Sequence, residues 1–198
     1  MLGGCLTPFL GDRNTMLNQF EIGILDWIQT LRNPVLDVFM PLITKLGDGG
    51  IFWIAVTLLF LILPKTRKTG CFMMFALLFD VVLCNLMIKP LVDRTRPFVV
   101  NPDIMLLITK PHEASFPSGH TAVSFTSAFA LYFAGQKKLF CGAVVLAILI
   151  ALSRLYLYVH YPTDVIGGAI LGIICAYLGA LIVRQILKKK EATRHSKN

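Results

Sequence analysis

The sequence predicts an all-α integral membrane protein: a bundle of five to six transmembrane helices with an N-terminal amphipathic helix at the interface. Three observations point there. The chain has 198 residues, 56% hydrophobic and only 15% charged, whereas soluble domains carry roughly 25% charged residues. Apolar runs fall at about 50–64, 71–88, 119–135, 139–157 and 165–187, and a bilayer crossing needs about 17–25 such residues. Eleven of the nineteen Lys and Arg lie in Lys65-Thr66-Arg67-Lys68, Lys137-Lys138 and the stretch from Arg184 to Lys197. These clusters fall at alternate ends of the runs, the positive-inside pattern, which predicts a cytoplasmic C-terminus.

The chain reads as one membrane-embedded domain over 1–198, with no linker to divide it. Residues 1–48 form an N-terminal region, 49–187 the bundle that carries the site, and 188–198 a basic cytoplasmic tail. Met16 could serve as a start, which would make residues 1–15 dispensable. Over 16–32, Phe20, Ile24, Trp27, Ile28 and Leu31 recur at helical spacing among Glu21, Asp26 and Arg32. That is an amphipathic helix lying at the interface. Residues 35–46 are apolar but interrupted by Asp37, Pro41 and Lys45, and Gly47-Asp48-Gly49-Gly50 makes a turn into the first clear span. In the last span Gly168, Gly172, Ala176 and Ala180 repeat every four residues, a face for close helix packing rather than for a ligand.

Charge and cysteines exclude other classes. A net charge of +8 could suggest nucleic acid, but its distribution serves topology, so no nucleic-acid partner is expected. The five cysteines (Cys5, Cys71, Cys84, Cys141, Cys175) show no metal-like or disulfide-like spacing. Cys5 follows Leu2-Gly3-Gly4, but the preceding stretch is too short for a signal peptide.

The other ends of the apolar runs gather a different set: Lys89, Arg94, Arg96, His120, Arg154, His160 and Asp164. Each has a plain reading alone. Lys89 could snorkel, Ser118 could cap a helix, and Asp164 could cap the helix that Pro162 opens. Arg154, however, stands inside an apolar run, where a charge needs a partner or a cavity holding an anion. Cations from three segments, two histidines and one carboxylate on one face make a coherent phosphate site. Asp80 and Asn85 also lie within an apolar run. Asp80 is nine residues before Lys89, about half a turn out of phase at 3.6 residues per turn, so it is expected to face elsewhere and to be structural. His112 and Glu113 are candidates only for the rim.

Three signatures then stand in order: Lys89, six residues, Arg96-Pro97; Pro117-Ser118-Gly119-His120; and Ser153-Arg154, five residues, His160, three residues, Asp164. Together they resemble the type 2 phosphatidic acid phosphatase superfamily, integral membrane lipid phosphatases that usually have six spans. The resemblance implies that His160 attacks phosphorus to give a phosphohistidine, that Asp164 orients His160, and that His120 protonates the leaving oxygen. It implies that Lys89, Arg96 and Arg154 bind the phosphoryl oxygens, with Ser118 and the Gly119 N–H adding donors. Arg94 and Pro117 are accessory. No metal and no cofactor are expected, because phosphoryl transfer relies on positioning and fixed charge.

The tail of the substrate is less constrained. A polyprenyl diphosphate is favoured, with undecaprenyl diphosphate converted to undecaprenyl phosphate at the outer face of a bacterial plasma membrane. Phosphatidylglycerophosphate, phosphatidate and other lipid phosphates are the alternatives. A non-catalytic lipid or phosphate carrier is the distant one, since a carrier needs the cations but not a nucleophile paired with an Asp and a separate acid.

Overall fold

The computed structural model describes residues 8–195, with side chains described over 16–193, and is all-helical there. Cys5 lies outside that range. The elements are α1 (Pro8–Gln29), α2 (Pro34–Lys45), a short 3₁₀ turn (Asp48–Gly50), α3 (Ile51–Ile62), α4 (Arg67–Asp80), a π-helical segment (Val81–Ile88), α5 (Lys89–Val92), α6 (Pro97–Val100), α7 (Gly119–Phe133), α8 (Lys137–Tyr156) and α9 (Pro162–His195). Among the described residues three stretches are long and apolar enough to cross a membrane: Arg67–Val100, Lys137–Tyr156 and Pro162–Thr193. The pair Pro34–Lys45 and Asp48–Ile62, bent by 40° at Leu46-Gly47, is together long and apolar enough for a fourth crossing or a re-entrant loop. At 15 residues, α7 is about 22 Å long, short of the roughly 30 Å apolar core of a bilayer. The three to four crossings among the described residues are fewer than the expected five to six, because α7 is too short to span and the bent pair makes at most one crossing. The expected basic tail is not a separate piece, because α9 carries on through it to His195.

Local chemistry sets the helix starts. Asn33 caps α2 by accepting from the Val35 and Leu36 N–H groups at 3.1 and 3.0 Å, with Pro34 in the first turn. Pro162 opens α9 in the same way.

Packing centres on α7, which touches α4, α8 and α9. The small-residue stripe of α9 explains how close that packing is. A Cβ on Gly168 would lie 2.6 Å from the Ser118 carbonyl, and one on Gly172 would lie 2.5 Å from the Ala122 carbonyl. Ala176 and Ala180 continue the stripe and are buried. The polar residues of α7 are paired inside the bundle: Ser124 accepts from the Trp53 indole at 3.1 Å, and Thr126 donates to Asp80 at 3.3 Å. Each bond satisfies a group that would otherwise stand bare in an apolar interior.

The N-terminal helix is present, but its orientation needs a correction to the simple amphipathic picture. Phe20 and Trp27 are 69% and 63% exposed, while Glu21 is 2% exposed. Phe20 and Trp27 face outward, as suits a lipid contact, while the docked side is mixed, with Leu25 fully buried beside Glu21. Gln29 donates to the Tyr156 carbonyl at 3.0 Å, and Asp26 accepts from the Tyr158 hydroxyl at 2.7 Å.

A second correction concerns Asp80. The π-helical segment between Asp80 and Lys89 bonds i to i+5, so each turn takes up about one residue more than in an α-helix. Nine residues then come to about two turns, and Asp80 and Lys89 line one cavity of about 220 Å³ together with Asn85. Asp80 also makes the structural hydrogen bond expected of it, to Thr126.

Candidate active site

One end of the bundle gathers the C-terminal ends of the Arg67–Val100 stretch and α8 with the N-terminal ends of α7 and α9. The basic clusters at Lys65–Lys68, Lys137-Lys138 and Arg184 onward occupy the opposite helix ends. At the first end lies a cavity of about 850 Å³, walled by Lys89, Arg96, Gly119, His120, Arg154 and His160 among others. Six of the residues singled out in the sequence therefore meet in one space.

His160 sits in the short connection between α8 and α9 and is 1% exposed. The chain turns there through Tyr158 at φ 58°, a left-handed conformation that costs a residue with a Cβ roughly 1–2 kcal/mol. The Tyr158 hydroxyl is held by Asp26 of α1 and takes a further bond from Asn101 at 3.3 Å. The imidazole is fixed at both nitrogens. Its Nε2 lies 3.2 Å from Arg96 Nη1, and a guanidinium can only donate, so Nε2 carries the lone pair. Its Nδ1 therefore bears the proton and donates to the Ser115 carbonyl at 2.8 Å. Burial pushes the His160 pKa down to about 3; the Asp164 carboxylate opposes this, and Arg154 and Arg96 add to it.

Asp164 stands behind His160 with no exposure. Its Oδ2 is 3.6 Å from His160 Nδ1, accepts from the Ser115 hydroxyl at 2.5 Å and accepts from the Tyr161 N–H at 2.9 Å. The Ser115 carbonyl is thus the nearer acceptor for the Nδ1 proton, and the Asp164 carboxylate stands directly beyond it at 3.6 Å. Ser115 was not singled out in the sequence, although it lies two residues before Pro117 in the second signature.

The cations differ in how far they are committed. Arg96 is 6% exposed and Arg154 2%. Arg96 is clamped by carbonyls, donating to Glu113 at 2.7 Å and Val159 at 2.9 Å. Arg154 donates to Thr44 at 2.6 Å, and its Nε has no partner among the described residues. Neither makes an ion pair there. Lys89, by contrast, is paired with Glu113, a rim residue whose side chain is 69% exposed. That pairing holds the Glu113 carboxyl below the usual carboxylate range.

The second signature begins α7. Gly119 is needed for space beside Lys89: a Cβ there would lie 3.2 Å from the Lys89 ammonium. His120 follows, with Nε2 2.7 Å from Asp48 Oδ1 in the Gly47-Asp48-Gly49-Gly50 turn. Gly47 is required at that turn, because a Cβ would meet the His120 ring at 2.7 Å. The turn that reads as a plain break in the sequence is thus part of the site.

Ser118 departs from expectation. It is fully buried, is not on the cavity wall, and its hydroxyl accepts from Thr121 at 2.9 Å. The close approach of Gly168 to its carbonyl holds this segment tight behind the wall. Pro117 is buried beside it, preceded by a cis peptide bond. Arg94 also stays off the wall and bonds to Asp164 from behind. Among the described residues no group of three or more His, Cys, Asp or Glu side chains is arranged to hold a metal ion.

The arrangement presents a neutral imidazole nitrogen to a pocket lined by cations, with a second imidazole–carboxylate pair across it. That is equipment for phosphoryl transfer. The chain is 34% identical over 164 residues to the undecaprenyl-diphosphatase of Sulfolobus acidocaldarius, spanning 82% of this chain and 78% of that one. The crystal structure of Aquifex aeolicus LpxE superposes with a TM-score of 0.70 at 31% identity, covering 79% of this chain and 92% of the other. That of a transmembrane PAP2-type phosphatidylglycerolphosphate phosphatase from Bacillus subtilis gives 0.68 at 28% identity, covering 88% and 87%. A family model described as the PAP2 superfamily matches residues 69–188; with that match over more than half its length, the chain is a membrane phosphatase belonging to the PAP2 superfamily.

Proposed function

We propose that the chain hydrolyses a polyprenyl diphosphate, undecaprenyl diphosphate in a bacterial membrane, to the monophosphate and inorganic phosphate. The observation that carries this reading is the pair Arg96 and Arg154: buried, without carboxylate partners among the described residues, and on the same cavity wall as His160, whose Nε2 lone pair Arg96 meets at 3.2 Å. Buried cations without counter-ions are costly unless an anion completes them.

His160 Nε2 attacks the terminal phosphorus, and the bond from that phosphorus to the bridging oxygen breaks. His120 gives a proton to the leaving lipid monophosphate. The proton of the resulting phosphohistidine stays on Nδ1, which keeps donating to the Ser115 carbonyl, with Asp164 balancing the positive ring. Water then attacks phosphorus, His120 takes its proton, and inorganic phosphate leaves with His160 restored to its neutral form. Arg96, Arg154 and Lys89 hold the equatorial oxygens throughout, and the N–H groups at the start of α7 favour an anion there.

A diphosphate is preferred over a monophosphate because the cavity mouth adds Lys45 and Lys110 beyond the cations near His160. The relative from Sulfolobus is named for the same substrate. The basic helix ends at the far side of the bundle support a cytoplasmic C-terminus and an outward-facing site.

Phosphate release from a panel of polyprenyl diphosphate, polyprenyl monophosphate, phosphatidylglycerophosphate and phosphatidate, in detergent with EDTA, tests the reading. The diphosphate should turn over fastest. No turnover of any of them by folded protein overturns the proposal, and a preference for phosphatidylglycerophosphate moves it to a glycerol lipid. A single cysteine at Asp103, labelled by an impermeant reagent in intact cells, checks the orientation; labelling only after lysis inverts it.

A further inference from the structure

Behind Asp164 lies a buried charge network that the reaction above does not use, and it reaches the N-terminal helix. Arg94 spends both guanidinium nitrogens in it. Nη1 donates to Asp164 Oδ1 at 2.6 Å and to Thr163 Oγ1 at 2.7 Å. Nη2 donates to Glu21 Oε2 at 2.5 Å and to Asn18 Oδ1 at 2.6 Å. The guanidinium lies over the Tyr161 ring, 3.9 Å from its centroid. Glu21 is 2% exposed, and its other oxygen accepts from the Thr163 N–H at 2.8 Å and hydroxyl at 2.7 Å.

We propose that Arg94 and Glu21 are positioning residues for the His160–Asp164 pair, so that helix α1 completes the active site from outside the catalytic bundle. The division of oxygens carries the argument. Arg94 takes only Oδ1 of Asp164, which leaves Oδ2 to the Ser115 hydroxyl, the Tyr161 N–H and the face toward His160. Arg94 is kept to one oxygen because Glu21 and Asn18 hold its second nitrogen. A guanidinium released from Glu21 would be free to close on Asp164 through both nitrogens. It would then draw the carboxylate's charge away from His160. Without Arg94, two buried carboxylates would share one pocket with no cation between them, an arrangement that proteins avoid. Glu21 also accepts from the first turn of α9, the helix that carries Asp164, so one side chain sets the height of that helix and the direction of Arg94.

This inference rests on His160 as the attacking group. The test is steady-state turnover of polyprenyl diphosphate by the full chain and by Glu21→Gln, Arg94→Lys, Arg94→Ala and His160→Ala, with melting temperatures in detergent. Glu21→Gln keeps the size and an acceptor for Thr163 but removes the charge that restrains Arg94. Its kcat should fall about tenfold, roughly 1.4 kcal/mol of barrier, with KM within about threefold because the cavity wall is untouched. Arg94→Ala should fall further, and Arg94→Lys should restore part of the loss by returning a cation. If the parent does not turn over, or His160→Ala is as active as the parent, the functional reading fails. If the parent is active and Glu21→Gln and Arg94→Lys keep kcat within twofold, the positioning role fails. Lower melting temperatures with unchanged kcat per folded molecule reduce the network to a structural one and also overturn the proposal.

Discussion

The two histidines of the site are held in opposite ways. His160 is sealed in: carbonyl on one nitrogen, guanidinium on the other, a buried carboxylate behind, and a strained turn at Tyr158 aiming the ring. His120 is open: its side chain is 21% exposed, and its partner Asp48 is 58% exposed on a glycine-rich turn. The cations divide the same way, since Arg96 is locked by carbonyls while Lys89 is taken by a rim carboxylate. The difference follows from what each half must do. A nucleophile needs one fixed line of approach to phosphorus, and fixing it in advance removes an entropic cost from the chemical step. A proton donor must meet a leaving group that arrives with a bulky lipid, so its surroundings have to give way.

The contrast breaks most visibly if each histidine is removed. His160→Ala should lower kcat by about 10⁴-fold or more whatever the leaving group, because it removes the attacking nitrogen itself. His120→Ala should cost roughly 10²–10⁴-fold on a lipid diphosphate, the usual range for a lost general acid. On a substrate whose leaving group needs no proton, such as a nitrophenyl phosphate, the His120 loss should shrink while the His160 loss stays. Parallel kinetics on both substrates decide this; equal losses for the two variants on both would erase the distinction drawn here.

A smaller effect probes the junction of the halves. Gly119→Ala places a Cβ 3.2 Å from the Lys89 ammonium, so the ammonium has to shift from its place on the cavity wall. The expected outcome is a fall in kcat/KM of about tenfold with an unchanged melting temperature, since alanine suits a helix start at least as well as glycine. Activity within twofold of the parent would show that the lysine moves freely.

The same contrast explains what could be read from the chain and what could not. Arg154 was legible because a charge in an apolar run demands a reason, and the three spaced signatures named the wall residues Lys89, Arg96, Gly119, His120, Arg154 and His160. The helical class and the small-residue face of α9 were legible from composition and periodicity. Ser115 was not, because its main contribution to His160 is a backbone carbonyl, which any residue type provides. Asp48 hid in a turn whose glycines already had a sufficient explanation. Glu21 hid on a helix whose apolar periodicity suggested that its charges faced water, when they face the protein. Asp80 was misplaced by assuming one helical pitch across a segment that changes to π geometry. For Ser115, Asp48 and Glu21 the missing information was tertiary, what packs against each residue; for Asp80 it was the local helical pitch.

The smallest effect concerns the open half alone. In the free site the Glu113 carboxylate occupies Lys89, so an arriving phosphate must displace it. Glu113→Gln keeps the shape and removes the competing charge, and KM should fall about two- to fourfold, the scale of an exposed ion pair, with kcat unchanged. The pH dependence has a definite sign. Lys89 depresses the Glu113 pKa below the usual carboxylate range, so the carboxylate stays ionised as pH drops from 8 to 5 and the competition persists. The ratio of the two KM values should therefore be flat over that window and approach one only in stronger acid, where Glu113 takes up its proton. Added salt should narrow the gap by screening the exposed pair. Equal KM values at low salt and neutral pH would mean that Glu113 yields Lys89 at no cost, and that the open half of the site is as ready for phosphate as the sealed half.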